Sequence, residues 1–239
     1  MQGTSWYIGW DVGGWNCDKN GRSRDAIVIL DGGLNIVGEP WRGNLRSHIN
    51  EAMSSRDWLV CLFGLCHTAA PDETAHCLMA IDTPLGFSDA FIHLASDLKA
   101  ADSIGTSNTN PYLFRRTEHV LFEQGLSPLS AIKDMIGSQA TKGLHVLARF
   151  APQIIECGLW SDGAGLSAIE AYPAACKTSA RMAELLKPLP RLEPDDCQDA
   201  LVCALVGYLF ANERDALMAP EAGTSDREGW IWVPRDTFS

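Results

Sequence analysis

Four acidic settings in this sequence have the residue types that divalent-cation chemistry requires: Asp11, Asp82, Glu170 and the Asp196/Asp199 pair. Asp11 ends the run Trp6-Tyr7-Ile8-Gly9-Trp10 and is followed at once by Val12-Gly13-Gly14. A strand that delivers a carboxylate to its end and then turns sharply is a common way to build a site on a sheet. Asp82 stands in the same position after Cys77-Leu78-Met79-Ala80-Ile81, where Pro84 stops the strand. Glu170 ends Leu166-Ser167-Ala168-Ile169 and is followed by Ala171-Tyr172-Pro173. Asp196 and Asp199 share a face at the start of an apolar helix. A buried, unpaired carboxylate is expensive, and a cation shared with other carboxylates offsets that cost. Mg²⁺ takes oxygen ligands and keeps several waters, and two such ions can activate a water and stabilise a leaving oxygen in phosphodiester cleavage.

Each acid also has a plainer role available. Asp11 and Asp82 could form turns at strand ends, and Glu170 could sit in a surface salt bridge. Asp195 with Gln198 fits a capping box, which puts Asp196 at the first helical position, where the dipole favours negative charge. Asp199 could pair with an arginine or the backbone. Arg115 and Arg116, in Arg115-Arg116-Thr117-Glu118, could clamp a phosphate or form a solvated Arg–Glu face. The six histidines are spread along the chain, and none suggests a triad with a Ser or Cys nucleophile.

The elements that must position these residues follow from the pattern. Ala26 to Leu30 reads as a second strand, Asp31-Gly32-Gly33 as a hairpin turn and Leu34 to Gly38 as a third strand, making an antiparallel meander. The loop from Asn16 to Arg24 is polar and solvated. Leu45 to Leu65 and Ser88 to Ala101 read as helices, the second capped by Ser88 or Asp89. Asp102 to Pro111 is a loop rich in Ser, Thr and Asn, and helical pattern returns from Tyr112 to Gly125 and from Gln139 to Ile155. Thr178 to Leu186 is a helix. The last strong helix runs from Asp195 to about Asn212, apolar on nearly every side and therefore buried. Glu228 to Pro234 reads as a final edge strand whose tryptophans pack rather than stack bases.

Composition narrows the function classes. The formal net charge of −11 disfavours a broad grip on a phosphate backbone, which needs a basic face. It leaves room for an acidic site that meets phosphate through cations. No apolar run approaches the roughly 18 residues of a bilayer span, and the first residues do not resemble a signal peptide, so a cytoplasmic location is expected. The eight cysteines are scattered and read as buried free thiols. Cys61, Cys66-His67 and His76-Cys77 do not match common zinc spacings.

Taken together, Gly9-Trp10-Asp11-Val12-Gly13-Gly14, Ile81-Asp82-Thr83-Pro84-Leu85-Gly86, Arg115-Arg116-Thr117-Glu118, Ile169-Glu170-Ala171-Tyr172-Pro173, Gln198-Asp199-Ala200-Leu201 and Glu228-Gly229-Trp230-Ile231-Trp232-Val233-Pro234 resemble the motifs of the family called domain of unknown function 429. That family is described as predicted nucleases with a ribonuclease H-like fold. The resemblance spans nearly the whole chain. It implies an α/β fold, a mixed five-stranded sheet whose first three strands are antiparallel, flanked by helices. The chain is then one domain, 1–239, with a helical insertion at about 102–157. Asp196-x-x-Asp199-Ala200 is similar to the terminal acidic helix of RuvC-type junction resolvases, which makes Asp11, Asp82, Asp196 and Asp199 metal-ligand candidates.

The expectation is thus a metal-dependent phosphodiester hydrolase. Asp11, Asp82, Glu170 and Asp199 are its catalytic acids, Mg²⁺ or Mn²⁺ its cofactor, Arg115 and Arg116 its substrate contacts and a nucleic acid its partner. No membrane partner is expected. The oligomeric state stays open, a homodimer among the alternatives. The competing readings are a nucleotide-binding or phosphotransfer protein of the actin-like ATPase class, for which Asp11-Val12-Gly13-Gly14 would be a phosphate loop, and an inactive partner-binding module.

Overall fold

In a computed structural model, residues 5–134 and 136–238 are described. The strands are β1 (Ser5–Asp11), β2 (Asp25–Leu30), β3 (Trp41–Gly43), β4 (His76–Asp82), β5 (Gln153–Glu156), β6 (Leu159–Ser161), β7 (Leu166–Ala171) and β8 (Ile231–Trp232). The α-helices are α1 (Arg46–Glu51), α2 (Ser55–Leu65), α3 (Asp89–Asp97), α4 (Arg116–Glu123), α5 (Gly137–Phe150), α6 (Ala180–Leu186) and α7 (Asp195–Asn212). The strands form one open, mixed 8-stranded sheet in the order β3-β2-β1-β4-β7-β6-β5, with β8 also on β7. β2 runs antiparallel to its neighbours β1 and β3, whereas β4 runs parallel to β1 and β7 parallel to β4. The hairpin of β5 and β6 adds antiparallel strands to the far edge, and β8 pairs with β7 in parallel beyond β6.

The central strands are buried on both faces, which is why they read as near-continuous apolar runs. Tyr7, Val28, Leu78, Ala80 and Ile169 pack in the core beneath α7, while Ile8, Trp10, Ile27, Met79 and Ile81 pack in the opposite core with α2 and α5. The helix α7 lies unusually close to β1. A Cβ on Gly9 would stand 1.8 Å from the Ala200 carbonyl oxygen and 2.6 Å from the Ala204 nitrogen. Among the described residues, no helix is long and apolar enough to cross a membrane.

Several elements differ from the sequence expectation, each for a local reason. The third strand is not Leu34 to Gly38 but Trp41–Gly43. The Asp31 side chain accepts from the Gly33 and Asn35 N–H groups, and Leu34 takes a positive φ of 63°, so the returning chain makes a single bridge from Ile36 to Leu30. The helix expected from Leu45 to Leu65 is two helices. Ala52 is extended, and the Ser54 hydroxyl caps α2 by accepting from the Asp57 N–H. The helix expected to reach Ile155 stops at Phe150, because Pro152 cannot continue it, and residues 153–156 form β5. The helical crossover therefore starts with α3 and ends before residue 153. Asp195 does not cap α7 with its side chain; it is exposed and ion-paired to Arg191 at 2.9 Å. The Gln198 amide accepts instead from the Leu192 N–H. Ser88 caps α3 as expected. All eight cysteines are free thiols, seven of them buried. The tail strand is buried rather than a bare edge, with Trp230 and Trp232 fully covered.

Candidate active site

Asp11 and Asp82 face each other across the β1–β4 ladder, each the last residue of its strand. They fall in the same two-residue phase as Tyr7, Gly9, Leu78 and Ala80, so both project on the α7 side of the sheet. The close approach at Gly9 brings the start of α7, with Asp199 beside Ala200, over the ends of these two strands. A cavity of about 230 Å³ opens there, lined by Asp11, Asp82, Glu170 and Thr83 and roofed by Pro128, Leu129, Ile136 and Gln139 of the α4–α5 region.

The carboxylates fall into two classes. Asp25, Glu170 and Asp196 are each bonded to a cation, which Glu170 shares with Glu118. Asp196 accepts from Arg42 Nε at 2.8 Å and from the Arg24 N–H at 3.0 Å. Its expected role as a metal ligand is therefore replaced by an ion pair, one that sequence spacing could not reveal because Arg42 lies 154 positions away. Glu170, expected to be a free catalytic acid, takes a two-pronged bond from Arg115, at 2.8 and 2.7 Å, and a third from the Leu85 N–H. Burial raises its carboxyl above the ordinary value against the pull of Arg115. Arg115 is 2% exposed, and its donors are committed to Glu118, Glu170 and the Glu228 carbonyl. These two carboxylates hold its guanidinium charged, so it braces β7 against α4 and is not available to clamp a substrate. Arg116 is a surface residue bonded to Glu221 at 2.7 Å and does not line the cavity.

Asp11, Asp82 and Asp199 form the second class. None of these three carboxylates makes a side-chain hydrogen bond or salt bridge to a described residue. Burial pushes Asp11 well above the ordinary Asp value, and the charges of Asp82 and Asp199 push it further. Asp82 is raised to about 8, by burial first and then by Asp199 and Glu170. Asp199, partly exposed, is raised by burial while Lys177 pulls it back. The plainer readings of Asp11 and Asp82 as turn formers lack the side-chain-to-backbone bonds that such turns use.

Among the described residues, no three His, Cys, Asp or Glu side chains form a group that could hold a metal ion, so the four-carboxylate set expected from the sequence is not assembled. What the fold does supply is the adjacent Asp11–Asp82 pair. That is a sufficient protein contribution for Mg²⁺, which is usually held by one or two carboxylates together with waters and substrate phosphate.

A second buried network was not anticipated. Asp25 and Lys142 are both fully buried and bonded to each other. Asp25 also accepts from Trp10 Nε1, the Gly13 N–H and the Leu45 N–H, at 3.1, 2.9 and 2.7 Å. Lys142 donates to the Gly13 carbonyl at 3.3 Å. The turn after Asp11 is thereby fixed to both β2 and α5. The available signal was a lysine at a buried position of an amphipathic helix, among Ala140, Val146, Leu147 and Phe150. Compared with known proteins, the chain matches no family model, and no curated protein and no solved structure matches it significantly.

Proposed function

We propose that this chain is a divalent-metal-dependent phosphodiester hydrolase acting on nucleic acid, on a sheet of the ribonuclease H-like kind. One observation carries the reading. Asp11 and Asp82 sit side by side in a cavity, raised by burial and by other acids, with no cation of their own. The more deeply buried carboxylates Asp25, Glu118, Glu170 and Asp196 each have a cation bonded to them. An oxygen-lined pair left in this state stabilises a bound divalent cation more than it stabilises the empty protein. A mixed sheet that starts with three antiparallel strands and is flanked by helices is also what the family resemblance implies.

In this reading Asp11 and Asp82 would hold the cation, and Asp199, at the start of α7 and outside the cavity lining, would add negative charge nearby. The cation would supply Lewis acidity toward the phosphoryl oxygens and acidify a water for attack. Arg115 and Glu170 act at one remove by holding the end of β7, and Asp25 and Lys142 by holding the turn that follows Asp11.

The test is calorimetric titration with Mn²⁺ and Mg²⁺, paired with hydrolysis of labelled DNA and RNA oligonucleotides. Wild type binds and cleaves; Asp11→Asn and Asp82→Asn lose both. Wild type without divalent-cation binding would discard the proposal. Thermal protection by ATP without hydrolysis of any oligonucleotide would favour the actin-like alternative.

A further inference from the structure

We infer that the site takes a single nucleotide unit, with its phosphate in the carboxylate cavity and its base in the neighbouring aromatic cleft, rather than an internal stretch of duplex or single strand. The inference rests on the hydrolase reading above and narrows its substrate.

The first observation is size. The carboxylate cavity holds about 230 Å³. That is below the roughly 300 Å³ at which pockets begin to bury drug-sized ligands, so a phosphoryl group and part of a sugar fill it and a base does not fit as well. The second is enclosure. Pro128, Leu129, Ile136 and Gln139 line the cavity from the α4–α5 region, so the reactive end of the sheet is a half-open recess walled on that side. A duplex presents its phosphates on the outside of a broad rod and cannot lower one into such a recess without its neighbours.

The third observation is charge. Among the described residues lining the cavity there is no Lys, Arg or His. The chain as a whole carries −11. Proteins that track a polynucleotide backbone do so with a positive groove, and the lining of this cavity supplies no such charge. A single phosphate met through a cation needs no such groove.

The fourth observation gives the base a place. A second cleft, of about 560 Å³, shares Pro128 and Leu129 with the cavity. Its wall carries Phe122 and His119, 6.3 Å apart, both partly exposed. Phe114 backs them, and Lys133 Nζ stands 5.2 Å from the Phe114 ring centre. Aromatic faces with a nearby cation are what a base stacks on irrespective of its sequence identity. The phosphate and base compartments thus meet along one short wall, and neither repeats.

Two sources offer this chemistry: a free nucleotide ester and the terminal unit of a strand. The experiment incubates the full chain and Mn²⁺ with three probes. These are the p-nitrophenyl ester of thymidine monophosphate, a linear single-stranded oligonucleotide, and the same oligonucleotide closed into a circle. The ester is hydrolysed and the circle is not. Cleavage of the linear strand, one unit at a time from an end, identifies termini as a source; an intact linear strand identifies the free nucleotide. In Phe122→Leu, KM for the ester rises about tenfold (~1.4 kcal/mol) with Mn²⁺ affinity unchanged, and His119→Ala gives a second, smaller rise. Cutting of the circle at a rate comparable to the linear strand overturns this inference and leaves the hydrolase standing. An unchanged KM in both variants overturns the base compartment. Hydrolysis of none of the probes overturns both readings together.

Discussion

Replacing Asp82 with Asn should stabilise the metal-free protein, in proportion to pH. In the folded chain the Asp82 carboxyl titrates at about 8, against an ordinary value of 3.8. The folded state therefore holds a proton that the unfolded state has already released between these limits. Stability is fullest below pH 4 and falls as pH rises toward 8. The full gap corresponds to roughly 6 kcal/mol, and the solvent that Asp82 keeps through the cavity reduces this to roughly 2–3 kcal/mol. Asn keeps the shape and removes the charge. In urea titrations without divalent ions, Asp82→Asn should match wild type at pH 4 and exceed it by that amount at pH 8.5. For a chain of this length the gain corresponds to a rise in Tm of roughly 4–12 °C. Mn²⁺ should close the gap by stabilising wild type alone. A variant less stable than wild type at pH 8.5 would refute the reasoning, because it would mean that the Asp82 charge already has a partner in the folded protein.

Three other substitutions test the positioning shell. Arg115→Met leaves Glu118 and Glu170 buried without their cation and should cost roughly 3–5 kcal/mol in urea unfolding at pH 7; a near-neutral effect would restore Arg115 as a free substrate contact. Gly9→Ala places a Cβ 1.8 Å from the Ala200 oxygen; displacement of α7 should cost roughly 3 kcal/mol and weaken Mn²⁺ binding, both readable by calorimetry. Thr83→Val removes a buried hydroxyl that has no hydrogen-bond partner among the described residues, so Tm should stay level or rise by the equivalent of roughly 1 kcal/mol; a clear drop would reveal a bond that the hydroxyl makes.

The central strands and the buried helix were legible because their pattern is set by burial on both faces, which leaves an apolar run bounded by turn residues. Asp11 and Asp82 were legible for the same reason: a charge at the end of such a run has nowhere to go but the sheet edge. Their lack of a partner was not legible, since pairing depends on residues far away in sequence. Arg42 claims Asp196, Arg115 claims Glu170 and Lys142 claims Asp25, and none of these pairs has a spacing rule. The failures at β3 and β5 were local. A left-handed Leu34 redirected the hairpin, and Pro152 ended a helix whose periodicity ran on past it.

The buried Lys142 ties the far end of the crossover to the platform it covers. Through it, and through the Trp15 bonds to Ser138 and Thr141 at 2.9 and 3.1 Å, α5 is fastened to β2 and to the loop that joins β1 to it. Access to the carboxylates is then governed by the short arch that carries Pro128 and Leu129, and of the two it is the exposed Leu129 whose side chain can change without touching the foundation beneath. Selectivity for what enters and durability of the scaffold are in this way assigned to different stretches of the chain, and one can drift while the other is held.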